Sequence, residues 1–398
     1  MGRVASSAEG SGLEQYADGF VAELGRLGYS PRTCEAQVAL LRHLARWLAE
    51  QGVPLSGLNS EVAGEYIAVR RGRSQLRSGR ALRPLLGYLR GLGVVPSATV
   101  LVPQAPVDVL LTRFGEWLSG ERGLAPATVS SYLHQSRPFA VACAGQLPSL
   151  TAAQVADLAA GGAVGLRPRS AQVRANAVRA LLRFLWLEGM TAVPLADAVG
   201  SFAAPAGADP PKGLSPGQAD DLLAFVRASP GGMRNEPMIA LMLRLALRAG
   251  EAASLLLDDI AWRQGILRVR GKRNRVDEIP LPADVGAPLA RYLSDGRPTG
   301  TAHRQVFLAL DAPHGPLTGP AVTSVAARAL IAAGISGEGA AHRLRHTAAC
   351  GVLAAGGGLV EAGQLLRHAG PQVTAVYARS DITALRSIAR PWPEEAPA

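Results

Sequence analysis

The sequence predicts a mainly α protein: two helical units, then an α+β domain that carries a small β-hairpin sheet. Three observations predict this. Two short motifs recur in the first half at almost the same offset. A proline-rich stretch with little pattern, Ala203 to Gly213, closes that half. Beyond it, helical spacing is interrupted once by strand-like alternation.

The helical units come first. Gly28-Tyr29-Ser30-Pro31-Arg32-Thr33 matches Gly123-Leu124-Ala125-Pro126-Ala127-Thr128 at an offset of 95. Leu85-Leu86-Gly87-Tyr88-Leu89 matches Leu181-Leu182-Arg183-Phe184-Leu185 at an offset of 96. Each copy opens with a proline near a helix start, where its missing N–H is not needed. Leu40, Leu41, Leu44, Trp47 and Leu48 then follow at helical spacing. Two copies of one helical unit are expected, over 1–100 and 106–205, joined by a connector at 97–107.

The third domain is expected over 211–398. Ser215-Pro216-Gly217-Gln218 offers an N-cap hydroxyl, a proline at the first helical position and a glutamine at the third, which is a capping box. Leu222 to Arg248 reads as two helices. Ile266 to Arg270 alternates as a strand, Val276 to Leu281 reads as its partner, and Gly271-Lys272-Arg273-Asn274-Arg275 is the turn between them. Trp262 is expected as a packed strand-edge residue. Helical patterns return from Ala321 to Leu366, and Asp381 to Arg390 reads as a short amphipathic helix.

Charge and cysteine usage narrow the class. The 398 residues hold 41 Lys and Arg against 31 Asp and Glu, a formal net charge of +10 that suits a polyanionic partner. Cys34, Cys143 and Cys350 lie far apart with no metal-type spacing, which fits buried thiols in a reducing compartment. The N-terminus lacks the apolar stretch of a signal peptide, and no uninterrupted apolar run is long enough for a membrane span. A cytoplasmic protein without a membrane role is expected. Six arginines crowd the fourteen residues from Arg70 to Arg83 with no acid among them, including Arg71, Arg73 and Arg77. Arg167, Arg169, Arg174 and Arg179 stand in the equivalent region of the second copy. Such runs are often solvated faces; their recurrence beside apolar helices favours contact with a DNA backbone.

The domain after residue 211 holds the parts needed to cleave a phosphodiester without a metal. The transition state spreads negative charge over non-bridging oxygens, which arginine forks bind in pairs without losing charge. A nucleophile must also lose a proton and a leaving oxygen gain one. Arg248 follows an apolar helix; Lys272 lies 24 residues on, in the hairpin turn. His342 precedes Arg345 by three residues, so that a helix there would carry both on one face. His368 lies 23 residues after Arg345, and Tyr377 nine after that. The only other tyrosine past residue 211 is Tyr292. His342 and His346 are spaced as helical zinc ligands, but no acidic or thiol ligand follows suitably, so no metal is expected and His346 reads as a bracing residue.

This array resembles the tyrosine recombinases, also called the phage integrase family, over 211–390 and more loosely over 106–203. The resemblance implies two SAM-like helical DNA-binding units before a tyrosine recombinase catalytic domain. It implies that Tyr377 attacks the phosphate to form a 3′-phosphotyrosyl link, that Arg248 and Arg345 clamp the non-bridging oxygens, and that Lys272 protonates the leaving 5′-oxygen. His342 would help take the tyrosine proton, His368 would bond the phosphate, and Glu251 would support Arg248 or a neighbouring histidine. The covalent link conserves the bond energy, so no cofactor is expected. Double-stranded DNA is the implied partner, with a homo-tetramer on it, which related recombinases could join, and the helix from Ile382 to Ile388 is expected to dock on a neighbouring protomer. Integration, excision or transposition of a mobile element is the implied role. Many family members have glycine where this chain has Arg367; an arginine at that position resembles a transposon-borne branch that includes recombinases encoded in trios. Two alternatives stay open: a catalytically silent DNA-binding accessory protein and a type IB topoisomerase.

Overall fold

The computed structural model describes residues 12–71, 79–97, 105–202, 213–271, 275–337 and 339–367. Most of the expected linker, Arg73 and Arg77, Lys272, His368, Tyr377 and the expected helix from Asp381 to Arg390 lie outside the described residues. The chain divides into two compact units, residues 96–208 and residues 1–95 together with 209–398.

Residues 13–95 form α1 (Ala17–Arg26), α2 (Pro31–Gln51), α3 (Ser60–Arg71) and α4 (Arg83–Gly91). Helix α2 starts where Ser30 Oγ accepts the Thr33 N–H at 3.3 Å and Pro31 takes the first helical position. It stops at Gly52, whose φ of +65° only glycine adopts without strain. Leu40, Leu41, Leu44 and Leu48 are buried along one stripe of α2, and Trp47 meets Tyr66 of α3 edge-on at 5.4 Å.

Residues 106–199 form α5 (Pro106–Gly120), α6 (Pro126–Cys143), α7 (Ala152–Gly161) and α8 (Pro168–Leu187) around their own core. Phe184 of α8 packs against Phe114 and Trp117 of α5 at 5.5 and 5.8 Å. Both stretches run in the same order. A first helix leads to a long helix opened by Pro31 or Pro126, then to a 3₁₀ turn at Leu55–Gly57 or Leu147–Ser149, and two more helices follow. Leu85 and Leu181, matched in the sequence, are both fully buried in their cores.

From Gly213 onward the chain forms α9 (Pro216–Ala228), α10 (Gly232–Arg244), α11 (Ala249–Ser254), α12 (Ala283–Arg291), α13 (Gly319–Ala332), α14 (Ala340–Ala354) and α15 (Leu359–Leu365). A three-stranded antiparallel sheet, ordered β1 (Ile260–Ala261), β2 (Ile266–Arg270), β3 (Val276–Pro280), lies between α11 and α12 in the chain. The capping box at Ser215 forms, with both of its reciprocal hydrogen bonds. Helix α10 is apolar on all sides from Met238 to Leu243, so it must be surrounded, and α9, α12 and α14 pack against it. In β2, Leu267 and Val269 face the core, while Arg268 faces solvent and pairs across the sheet with Glu278 at 3.0 Å.

Two expectations need correction. Trp262 is not packed: β1 is only two residues long, the chain turns directly after it, and the indole stays 46% exposed. The cysteines are not uniformly buried, since Cys34 and Cys350 are half-buried and only Cys143 is fully so. Burial pushes the Cys143 thiol up to about 11, which keeps it protonated and inert at neutral pH. Among the described residues no helix is long and apolar enough to cross a membrane.

Candidate active site

The site is built on the end of α10. That helix ends at Arg244, and Ala246 then takes a φ of +52°, a conformation an L-residue adopts only when its surroundings hold it there. The turn delivers Arg248 as the N-cap of α11. Glu251, three residues on, accepts the Arg248 backbone N–H at 2.8 Å and the Arg248 guanidinium at 2.6 Å. A carboxylate here also faces the positive end of α11. The start of α13 fixes α11 from the other side, because Gly319 and Gly250 approach so closely that a Cβ on Gly319 would lie 3.2 Å from the Gly250 Cα. The Arg248 side chain remains 38% exposed, so its outer face can take a ligand.

Helix α14 supplies the second arginine. Arg345 is only 2% exposed. Its fork donates to the backbone carbonyls of Ala246 and Leu366. The first of these belongs to the end of α10, where carbonyls lack helical partners and carry the negative end of the dipole. His342, one turn earlier on α14, is exposed, so burial separates it from Arg345 despite their spacing. Its ring meets that of His346 edge-on at 4.6 Å. Thr347 accepts the Leu214 N–H at 2.8 Å and ties α14 to the entry of α9.

A third guanidinium completes the framework. Arg367, just beyond α15, has a φ of +50° and a side chain 5% exposed. It donates to the carbonyls of Leu245, Ala246 and Leu365 at 3.2 to 3.3 Å and to Glu251 at 2.6 Å. Its Nε lies 4.0 Å from Asp277 on β3. Burial pushes the Glu251 carboxyl up, but the Arg248 N–H and the charges of Arg367 and Arg248 outweigh it and hold the group below the usual carboxylate range. Glu251 is therefore a buried carboxylate that stays ionised.

Arg248, Glu251 and Arg345 thus converge through shared partners, the Ala246 carbonyl and Arg367. The hairpin closes with the Gly271 N–H donating to the Arg275 carbonyl at 2.8 Å, and residues 272–274, Lys272 among them, lie between. Tyr292 is buried against Phe307 at 5.6 Å, and its hydroxyl accepts the Leu308 N–H. Burial raises its pKa, so Tyr292 is unsuited to attack a phosphate. Among the described residues no three His, Cys, Asp or Glu side chains are grouped to hold a metal.

The remaining arginines divide by burial. Arg167 is the N-cap of α8 and Arg169 lies in its first turn, both exposed. Arg174 reaches Gln135 of α6 and the Gly162 carbonyl, and Arg179 reaches the carbonyls of Val199 and Gly200 at 2.9 Å, so these two brace loops of their own unit. Arg70 donates to the Tyr66 hydroxyl at 3.0 Å. The residue the sequence reading left without a role is Arg367. Its only sequence signal is a bulky cation where a left-handed backbone favours glycine, and its partners Leu245, Ala246 and Glu251 lie more than a hundred residues away in the chain.

A family model described as the phage integrase family matches residues 212–383. An integrase/recombinase of Sinorhizobium fredii, y4rA, is 35% identical over 378 residues, covering 93% of this chain and 92% of the relative. Tyrosine recombinase XerD of Xanthomonas campestris is 32% identical over 299 residues, covering 69% of this chain and 88% of the relative. Among solved structures, XerH site-specific recombinase bound to palindromic difH substrate in a post-cleavage complex aligns with a TM-score of 0.57 at 16% identity, over 82% of this chain and 93% of that one. A lambda integrase tetramer bound to a Holliday junction aligns at 0.54 and 18%, over 80% and 90%.

Proposed function

This chain belongs to the phage integrase family of tyrosine recombinases, and from that premise we propose that it cuts and rejoins double-stranded DNA through a 3′-phosphotyrosyl link on Tyr377. The observation that carries this reading is the corner at Ala246–Arg248. There one half-exposed guanidinium is locked by a buried carboxylate beside a buried framework of two more. Such a corner is pre-organised for an oxyanion, since the donors are fixed before the charge develops.

In this mechanism Tyr377 attacks the phosphorus, the P–O bond to the 5′-oxygen breaks, and the strand is left joined through its 3′-phosphate to the phenol. His342 takes the phenolic proton and Lys272 gives a proton to the departing 5′-oxygen. Arg248 and His368 hold the non-bridging oxygens, and Arg345, buried with its fork on the Ala246 and Leu366 carbonyls, braces the corner that presents Arg248. A 5′-hydroxyl from a second strand then reverses these steps. The tyrosyl ester conserves the phosphodiester energy, so neither nucleotide hydrolysis nor a metal is needed. Tyr292 cannot substitute, being buried with its hydroxyl engaged.

Four cleavages exchange two duplexes, and one tyrosine per chain calls for four chains; the solved lambda integrase tetramer on a Holliday junction supports that stoichiometry. The helical stretches over 1–100 and 106–205 are two copies of a core-binding unit, and 211–398 is the catalytic domain. Arg70, Arg71, Arg73, Arg77, Arg167 and Arg169 contact the DNA backbone, while Arg174 and Arg179 shape the surface beside them. The helix from Ile382 to Ile388 docks on a neighbouring protomer. The biological task is integration, excision or transposition of a mobile element; the Sinorhizobium fredii relative named an integrase/recombinase supports the recombination part of that reading.

The test is a set of nicked duplexes tiled across the DNA flanking the gene. Cleavage beside a nick loses the short fragment and traps the covalent adduct. Wild-type protein should form an adduct that survives denaturation and yields a DNA-linked peptide containing Tyr377, and Tyr377→Phe should form none. An adduct on another residue, or binding with no adduct, would refute the mechanism.

A further inference from the structure

We infer that Arg367 is a positioning residue for DNA cleavage: it holds the Glu251 carboxylate that orients Arg248, and it clamps the end of α10 to the end of α15. The inference rests on the recombinase reading above and adds a residue to it.

The geometry makes the case. Arg367 is 5% exposed, and removing a guanidinium from water costs several kcal/mol unless its N–H groups are matched. Here they are matched on three structural elements. Nη1 reaches the Leu245 carbonyl, Nη2 reaches Ala246 and Glu251, and the Leu365 carbonyl adds a local bond. The backbone at φ +50° is unfavourable for an arginine. A strained backbone, a buried cation and an ionised buried carboxylate coincide at one residue next to the candidate phosphate clamp. Strain of this kind persists where the surroundings over-determine it, as at a functional site.

Consider what the fork does to its neighbours. Glu251 Oε2 accepts both the Arg248 N–H and Arg367 Nη2, leaving Oε1 for the Arg248 guanidinium. Arg367 therefore fixes the carboxylate plane on which Arg248 lies. The Ala246 carbonyl is shared with Arg345, so one oxygen registers both buried guanidiniums. Arg367 is also the residue directly before His368 in the chain. Among the described residues, the charged groups facing Glu251 are Arg248 at the N-cap of its own helix and Arg367 beyond α15, with Asp277 of β3 near the latter.

Arg367→Gly is the informative variant, because glycine suits φ +50° and the turn should still form. The nicked duplex that best traps the wild-type protein serves as probe, with the full-length chain at saturating concentration. Arg367→Gly should bind it with wild-type affinity but form the adduct about 10–100-fold more slowly, the range seen when the supporting partner of a reacting ligand is lost. Without Arg367 the Glu251 carboxyl titrates at higher pH, so the variant's rate should fall more steeply on mild acidification than that of wild type. Arg367→Lys, which keeps the charge but not the fork, should recover part of the rate. Combining Arg367→Gly with Glu251→Gln should cost little more than either alone and should remove the added acid sensitivity.

A wild-type rate in Arg367→Gly overturns the inference while leaving the recombinase reading intact. So does a slow variant with an unmoved pH profile and full additivity with Glu251→Gln, which would mark a structural role only. If the wild-type protein forms no adduct on any duplex, the recombinase reading falls and takes the inference with it.

Discussion

Arginine is used in opposite ways in the helical unit at 106–199 and in the domain from Gly213 onward. In the helical unit, Arg174 and Arg179 lie half-buried along α8 and bond loop carbonyls of their own unit, while Arg167 and Arg169 are exposed. In the later domain, Arg345 and Arg367 are buried at the end of α10, where both bond carbonyls that the helix cannot satisfy, and Arg367 also fixes the Glu251 carboxylate that holds Arg248. The difference teaches where cation burial belongs. A surface guanidinium gives affinity through released counterions and tolerates imprecise placement. A guanidinium taken out of water acts in a low-dielectric setting and makes its neighbours' geometry rigid, which chemistry requires and backbone contact does not.

The largest expected effect is that of Arg345→Ala. It strips charge-assisted bonds from the carbonyls of Ala246 and Leu366 and leaves a cavity in α14. Chemical denaturation should register a loss of roughly 3 kcal/mol or more. A loss as small as that of Arg169→Ala would erase the contrast between the two regions.

Next is Glu251→Gln, which sharpens the contrast through pH. The Glu251 carboxyl is held below its usual range in the folded protein, so it contributes stability that is present above its unfolded pKa near 4.5 and lost as pH falls below that. The wild-type melting temperature should therefore fall more steeply than that of Glu251→Gln as pH drops from 5 toward about 3. Parallel curves would show that the carboxylate is not specially held.

These two effects also show what the sequence could and could not disclose. The proline-opened helices, the capping box at Ser215 and the β2–β3 hairpin were legible because each is written in residues a few positions apart. Arg248, Glu251 and Arg345 were singled out by their order along the chain and lie together in the fold, whereas His342, singled out in the same way, is exposed and apart from Arg345. The left-handed turns at Ala246 and Arg367 were not legible, because neither residue carries the glycine signal for that conformation. Nor was the role of Arg367, whose bonds to Leu245, Ala246 and Glu251 exist only after α10, α11 and α15 have packed. Trp262 was misjudged because a two-residue strand offers too little sheet to cover an indole.

Smaller effects belong to the helical unit. Arg179→Ala removes the brace on the Val199 and Gly200 carbonyls and should cost about 1 kcal/mol on denaturation, with protection lost in hydrogen exchange near residue 200. An unchanged exchange pattern would mean that the brace holds nothing. The smallest is Arg169→Ala, which should leave stability unchanged and lower the slope of log affinity against log salt by about 1. A change in sequence preference instead would assign Arg169 to base reading.

In the proposed mechanism a buried framework serves chemistry and a surface set serves affinity. Single-turnover adduct formation tests it directly, with Arg248→Ala and Arg169→Ala each measured at saturating protein beside their affinities for the same nicked duplex. Arg248→Ala should slow the covalent step by about 10²–10³-fold at near-normal affinity, and Arg169→Ala should weaken binding while leaving that step at the wild-type rate. Equal losses of rate in both variants, or a wild-type rate in Arg248→Ala, would contradict it.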